Sequence, residues 1–196
     1  MGRTAANLVL MLALAPAFVV TACAGDGRTL REASPDQTAS IATEPEVTGP
    51  TTPAPFRVFA NWEDSATIDP EFTCSGDNVS PSVSFEGVPP EAKELAIVAT
   101  GSDQRIRWFV AGILPTTTAI ADRVTPRGAI VVRNDFGNLG YSGPCPAIGT
   151  REMFTITAYA LNAKSLLTGD EDAKTALNII SGMTLKTTTV VGYFTR

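Results

Sequence analysis

Residues 134–146 read Asn-Asp-Phe-Gly-Asn-Leu-Gly-Tyr-Ser-Gly-Pro-Cys-Pro. Three glycines and two prolines among these thirteen positions exclude a helix there. Proline removes a backbone donor, and glycine raises the entropy cost of regular structure. One cysteine and two aromatic residues share the stretch, and a β-rich run follows it. The segment is a loop of fixed shape that a ligand can approach, and the fold must support it from neighbouring strands.

The rest of the chain supplies those strands. Apolar and β-branched runs predict strands at 80–85, 94–100, 106–113, 129–133, 154–161 and 187–194. Gly87-Val-Pro-Pro90, Pro115 and Pro126-Arg-Gly128 separate them. Asp170 to Gly182 predicts a helix, with Ala173, Ala176, Leu177 and Ile180 on one face and acids at its start. Ala163 to Leu167 predicts a short helical turn. The expectation is a mostly-β domain with one or two peripheral helices.

Composition closes several functional classes. There is no histidine, which excludes a Ser-His-Asp triad and a Cys-His pair. No Ser-x-x-Lys motif replaces them. Two scattered thiols without histidine make a poor zinc site, so no metal and no cofactor is expected. The net charge is −5 and no run of basic residues exists, which argues against nucleic acid as a partner and against a polybasic membrane patch. The glycine-rich stretch 137–143 matches neither a phosphate loop nor a dinucleotide fingerprint.

The N-terminus reads as a targeting segment. Arg3 gives a weak positive start, and Leu8 to Val20 is apolar. Val20-Thr-Ala-Cys23 then resembles the lipobox of bacterial lipoproteins, in which the cysteine is acylated and becomes the mature N-terminus. The alternative is an uncleaved transmembrane helix. Residues 8–22, with Pro16 among them, fall short of the ~20 residues that a bilayer span needs. A myristoylation signal at Gly2 fails because position 6 is Ala. Residues 1–22 are therefore read as a signal peptide. Residues 23–55 are read as the acylated Cys23 and a disordered Thr/Pro-rich tether with a reach of roughly 30 Å. The folded domain is read as 56–196, lipid-anchored to the cell membrane and facing outside the cytoplasm.

With Cys23 acylated, Cys74 and Cys145 remain. An oxidising compartment lets them pair, which would add on the order of 4 kcal/mol in the chain-entropy model. Two small buried thiols are the alternative.

Further segments join the opening one. Phe72-Thr-Cys-Ser-Gly-Asp-Asn-Val-Ser-Pro81, Gly87-Val-Pro-Pro90, Glu94-Leu-Ala-Ile-Val98 and Arg107-Trp108 stand with Asn-Asp-Phe-Gly and Gly-Tyr-Ser-Gly-Pro-Cys-Pro. Together, from about Ile68 to Tyr193, they resemble the phosphatidylethanolamine-binding protein family, in its bacterial Raf-kinase-inhibitor-like branch. The resemblance implies an antiparallel β-sandwich built around a large sheet, with a small anion-accepting pocket at one edge. A homodimer is plausible, since bacterial relatives are often dimers.

The departures from the family pattern are informative. The family pocket is built from Asp-Pro-Asp-Ala-Pro, His-Trp and His-Arg-Tyr segments. Ungapped alignment from Leu95 puts its first aspartate on Gly101, its proline on Ser102 and its second aspartate on Asp103. Its first histidine falls on Arg107, with Trp108 kept. Alignment from Pro146 puts the second histidine on Glu152, the arginine on Met153 and the tyrosine on Phe154. The rim Gly143-Pro144-Cys145-Pro146 is intact. Because the two family histidines share one cavity, Arg107 and Glu152 are expected to meet there as a charge-assisted pair. The pocket would then be occupied by its own carboxylate.

Other residues have plainer readings. Asp103 caps the loop between two strands or lines the cleft. Asp135 reads as a turn residue bonding nearby backbone. Tyr141 offers its hydroxyl to a ligand or packs its ring against the loop. Trp108 is core or cleft wall. Asp103 with Glu152 is the sole acid pair for hydrolysis, and a carboxylate held ionised beside a guanidinium is a poor proton donor. No catalytic residue is expected. The function expected is binding of a small anionic ligand or an envelope protein. An inhibitor module and, behind it, a small hydrolase are the alternatives.

Overall fold

Residues 151–161 alternate inward and outward side chains along an extended chain, as the two-residue period of a strand requires. Phe154, Ile156, Ala158 and Ala160 point inward and are fully buried. Each large apolar side chain so buried contributes roughly 1.5–3 kcal/mol. In the computed structural model, which describes residues 54–196, this strand is central to the larger of two sheets. The signal segment, Cys23 and nearly all of the expected tether lie outside the described residues.

The strands are β1 (Arg57–Phe59), β2 (Ala66–Thr67), β3 (Val83–Glu86), β4 (Glu94–Gly101), β5 (Ile106–Ile113), β6 (Ala119–Ile120), β7 (Ile130–Val131), β8 (Arg151–Leu161) and β9 (Thr184–Thr195). Among the described residues one 3-10 turn covers Pro70–Phe72, and one α-helix, α1, covers Ala173–Ser181. The large sheet runs β2-β9-β8-β4-β5-β7 and the small one β1-β3-β6. Within the sheets only β2 and β9 pair in parallel. The expected mostly-β sandwich with a peripheral helix is the observed architecture.

The main core lies between the sheets, where Val58, Phe85 and Ile120 meet Leu95, Ile97, Phe154 and Ile156. The opposite face of the large sheet is closed by α1, whose Ala176 and Ile180 pack with Ala96, Val98 and Phe109. Asp172 caps α1, accepting from the amides of Lys174 and Thr175. The helix therefore starts three residues later than the acidic run suggests, and Glu171 instead accepts from the amides of Thr168 and Gly169.

Ala163–Leu167 is not a helical turn. Glu94, buried at the start of β4, accepts from the Ser165 amide at 3.0 Å and its hydroxyl at 2.7 Å. That tie holds the segment as an irregular strap across the end of the sheet. The expected strand at 129–133 shrinks to β7, two residues long. Among the described residues no helix is long and apolar enough to cross a membrane.

Candidate functional site

Four parts of the chain converge at one end of the large sheet: the end of β4, the start of β5, the start of β8 and the loop 134–146. Strand alternation explains why Glu152 is there. It lies one pleat from Phe154, so its side chain shares the inward face. It is 7% exposed, and Arg107 on β5 is 8% exposed.

The two side chains meet. Arg107 Nη2 lies 2.7 Å from Glu152 Oε1 and 3.3 Å from Asp103 Oδ2. Arg107 Nη1 donates to the Gly143 carbonyl at 3.3 Å. The second carboxylate oxygen, Glu152 Oε2, accepts from the Cys145 amide at 2.9 Å. Each charge is thus paired and further hydrogen-bonded, which favours burial of an ion pair, while the buried Arg107 Nε has no hydrogen-bond partner. Gly101 makes the room. A Cβ at that position would collide with Glu152 Oε1 and lie 2.7 Å from Arg107 Nε.

The loop is fixed from below by Asn134, which the sequence reading did not single out. Its buried amide nitrogen donates to the Arg107 carbonyl at 3.1 Å and to Ser142 Oγ at 2.9 Å. Its oxygen accepts from the amides of Phe136 and Asn138, both at 3.0 Å. Asp135 bonds backbone as expected, accepting from the Ile106 amide at 2.7 Å. Phe136, also unforeseen, lies with its ring 3.8 Å from Arg105 Cζ and 4.8 Å from Arg107 Cζ. It shields the pair from one side. Cys74 and Cys145 form a disulfide with an S–S distance of 2.06 Å, which ties the rim to the 3-10 turn segment.

The structure divides the expected site residues into two groups. Asp103, Arg107, Pro146 and Glu152 line an open cleft of about 290 Å³, together with Ser102, Cys145 and Arg151. Gly101 borders the pair from beneath. Trp108, Tyr141 and Phe154 sit behind it in the main core. Tyr141 stacks edge-on against Trp108 and Phe154 at 5.6 and 5.9 Å. Its hydroxyl donates to the Phe72 carbonyl at 2.8 Å, so it is structural. Burial pushes the Tyr141 phenol well above its ordinary range, with Arg107 pulling down and Glu152 pushing up by less. Gly143 and Pro144 are buried; the Gly143 amide donates to Asn78 at 2.8 Å and the Pro144 carbonyl accepts from the Cys74 amide at 3.3 Å. Asp103 does both things foreseen for it: its Oδ1 accepts from the Arg105 amide at 3.1 Å and its Oδ2 faces Arg107. Among the described residues no group of three or more His, Cys, Asp or Glu side chains is arranged to hold a metal ion.

Comparison with known proteins agrees with this architecture. A UPF0098 protein of Methanothermobacter thermautotrophicus is 32% identical over 144 residues, covering 69% of this chain and 95% of that one. A Mycobacterium tuberculosis protein whose name marks it as a lipoprotein, LppC, is 35% identical over 163 residues, covering 80% of this chain and 77% of its own. Among solved structures, a phosphatidylethanolamine-binding protein homologue from Chlamydia trachomatis superposes with a TM-score of 0.67 at 22% identity, covering 72% of this chain and 97% of that one. YbcL of E. coli superposes with a TM-score of 0.68 at 23% identity, covering 73% of this chain and 99% of that one. The family model for phosphatidylethanolamine-binding protein matches residues 60–195, and with these strands, this loop and this cleft the chain belongs to that family.

Proposed function

We infer that this chain is an envelope-tethered binding protein whose inherited cleft is closed to free phosphate-type anions, and which engages a partner across the cleft mouth. The observation that carries this reading is the 2.7 Å contact between Arg107 and Glu152. A bound anion would need the guanidinium and a neighbouring backbone amide. Here both are taken by one internal carboxylate, which accepts from Cys145 as well. An incoming phosphate must displace Glu152 and leave it buried without a partner, which costs several kcal/mol. The mouth that remains is lined by Asp103, Arg151 and Pro146. Its charges balance, which suits a mixed protein surface better than a dianion.

Tethering is supported by the Val20-Thr-Ala-Cys23 segment and by the name of the mycobacterial relative. Both carboxylates of the cleft, Asp103 and Glu152, face the Arg107 guanidinium, which favours a binding protein over a hydrolase.

Calorimetry with inorganic phosphate and with phosphoethanolamine tests the closed cleft. The native protein is expected to show no saturable binding, and Glu152→Ala to gain it. Tight binding by the native protein that Glu152→Ala leaves unaltered would overturn the reading. For the partner, cross-linking in envelope preparations is expected to trap a protein, and Arg151→Glu to abolish the adduct.

A further inference from the structure

The end of the domain opposite the Arg107–Glu152 cleft is of a different character. There β4 begins, β5 and β8 end and β9 begins, as the register Glu94 with Leu161 and Leu95 with Ile113 fixes. A cleft of about 460 Å³ opens at this end, and Lys93, Arg127 and Lys164 ring it. Leu114 and Leu166 line the same cleft and are 63% and 82% exposed. Lys186, paired in register with Ala160, is exposed nearby. None of these four cations has an ion-pair partner among the described residues. Of the acids at this end, Glu86 stands opposite Arg57 in the β1–β3 register, Glu91 is exposed, and Glu94 is buried. In a chain with a net charge of −5, this is a local excess of positive charge.

Leu166 is held outward by construction. Leu166 has φ of 56°, a left-handed conformation that a bulky residue adopts only when its surroundings impose it. The imposing contact is the buried Glu94 carboxylate, which grips Ser165 by its amide and hydroxyl while also accepting from the Gly112 amide at 3.0 Å. One side of Ser165 then presents Lys164, the other Leu166. The chain also enters the domain here. The carbonyls of Ala54 and Pro55 lie so close to Gly87 that a Cβ there would collide with both, and Gly87 is adjacent to the β3–β4 connection that carries Glu91 and Lys93.

We propose that this end is a membrane-docking surface for anionic phospholipid, with Leu114 and Leu166 entering the headgroup region and Lys93, Arg127 and Lys164 meeting the phosphates. Apolar tips inside a ring of cations match an interface that is charged outside and apolar beneath. Docking at this end turns the Arg107–Glu152 cleft away from the bilayer. The orientation rests on the reading of the chain as tethered; the lipid affinity of the surface does not.

Co-sedimentation of residues 54–196 with vesicles tests it. This part folds alone: both cores lie within it, and the solved Chlamydia chain is 97% covered by the same fold. Binding is expected to equimolar phosphatidylglycerol and phosphatidylcholine, and to be lost in phosphatidylcholine alone and at high salt. Lys93→Ala and Lys164→Ala should each weaken it about five-fold, and Leu166→Ser about ten-fold, with unchanged melting temperature. Lys174→Ala, the same charge change on α1, should leave it unaltered. No binding to either vesicle, equal binding to both, an equal effect of Lys174→Ala, or binding of polyglutamate in place of vesicles would each overturn the proposal. In the full chain, amide exchange at 163–167 should slow on the anionic vesicles only. Absence of the acyl group from the full chain would sink the tethered reading and leave the vesicle result standing.

Discussion

The Cys145 amide donates to Glu152 Oε2 at 2.9 Å, so the residue that closes the disulfide also holds the carboxylate of the ion pair. The rim and the pair are one mechanical unit. Cys74 and Cys145 are 71 residues apart, and a closed loop of that length is worth about 4 kcal/mol in the chain-entropy model. Cys74→Ala with Cys145→Ala should lower the unfolding free energy by about that amount. Denaturant titration reads it, and a loss under 1 kcal/mol, to order of magnitude, would show that the reduced chain is already constrained.

The ion pair should behave as a coupled unit. Glu152→Met alone leaves Arg107 with Asp103 as its one acidic partner, and Arg107→Met alone leaves Glu152 buried. Each single change is expected to destabilise by about 3 kcal/mol, a fall of roughly 10 °C in melting temperature. The double variant should recover most of the loss, because two apolar side chains replace two buried charges. Additive losses in the double-mutant cycle would mean that the two groups do not interact.

Asn134 is predicted to set the shape of the loop. Asn134→Ala strips partners from the amides of Phe136 and Asn138 and from the Arg107 carbonyl. A loss of about 2–3 kcal/mol is expected. Amide exchange should quicken across 136–142 before it changes in β8. Uniform quickening across the domain would assign Asn134 to global stability instead.

Tyr141 gives the domain an alkaline limit. Its phenol is raised above the reference value of 10.0 by burial. A group whose folded value is raised contributes stability that is fully present below the unfolded value and is lost as pH rises above it. Stability should therefore be flat in this respect up to about pH 10 and decline beyond. Tyr141→Phe should flatten that decline while costing about 1 kcal/mol at neutral pH for the lost bond to Phe72. Phenolate absorbance during alkaline titration, followed with the far-ultraviolet signal, checks both parts.

Long strands were legible, and of the short ones β3 and β7 were expected, with other bounds, while β1, β2 and β6 were not. β4, β5, β8 and β9 run 8 to 12 residues, enough for apolar patterning to show. β2, β6 and β7 have two residues each and exist because a neighbouring strand offers hydrogen bonds, which is tertiary information. The misread strap at 163–167 is a second case: Ala-Lys-Ser-Leu-Leu has helical propensity, and a buried carboxylate 71 residues away overrides it. In the cleft, the meeting of residues 107 and 152 could be expected because the matching family positions share a cavity. Asn134 and Phe136 were hidden for opposite reasons. The first acts through backbone groups that any loop contains, and the second covers Arg107 from a neighbouring loop. An asparagine opening a glycine-rich segment was the available signal.

Gly101 gives the cleft a built-in tolerance limit. A Cβ at this position would press on Glu152 Oε1, Arg107 Nε and Asp103 Oδ1, so any larger residue there must push these side chains out of their present arrangement. An aspartate, which the family pattern places here by resemblance, would add a third carboxylate beside Glu152 and Asp103 around one guanidinium. The bare backbone at 101 and the internal ion pair therefore belong together, and the shape of this cleft is set as much by a missing side chain as by the two charges that fill it.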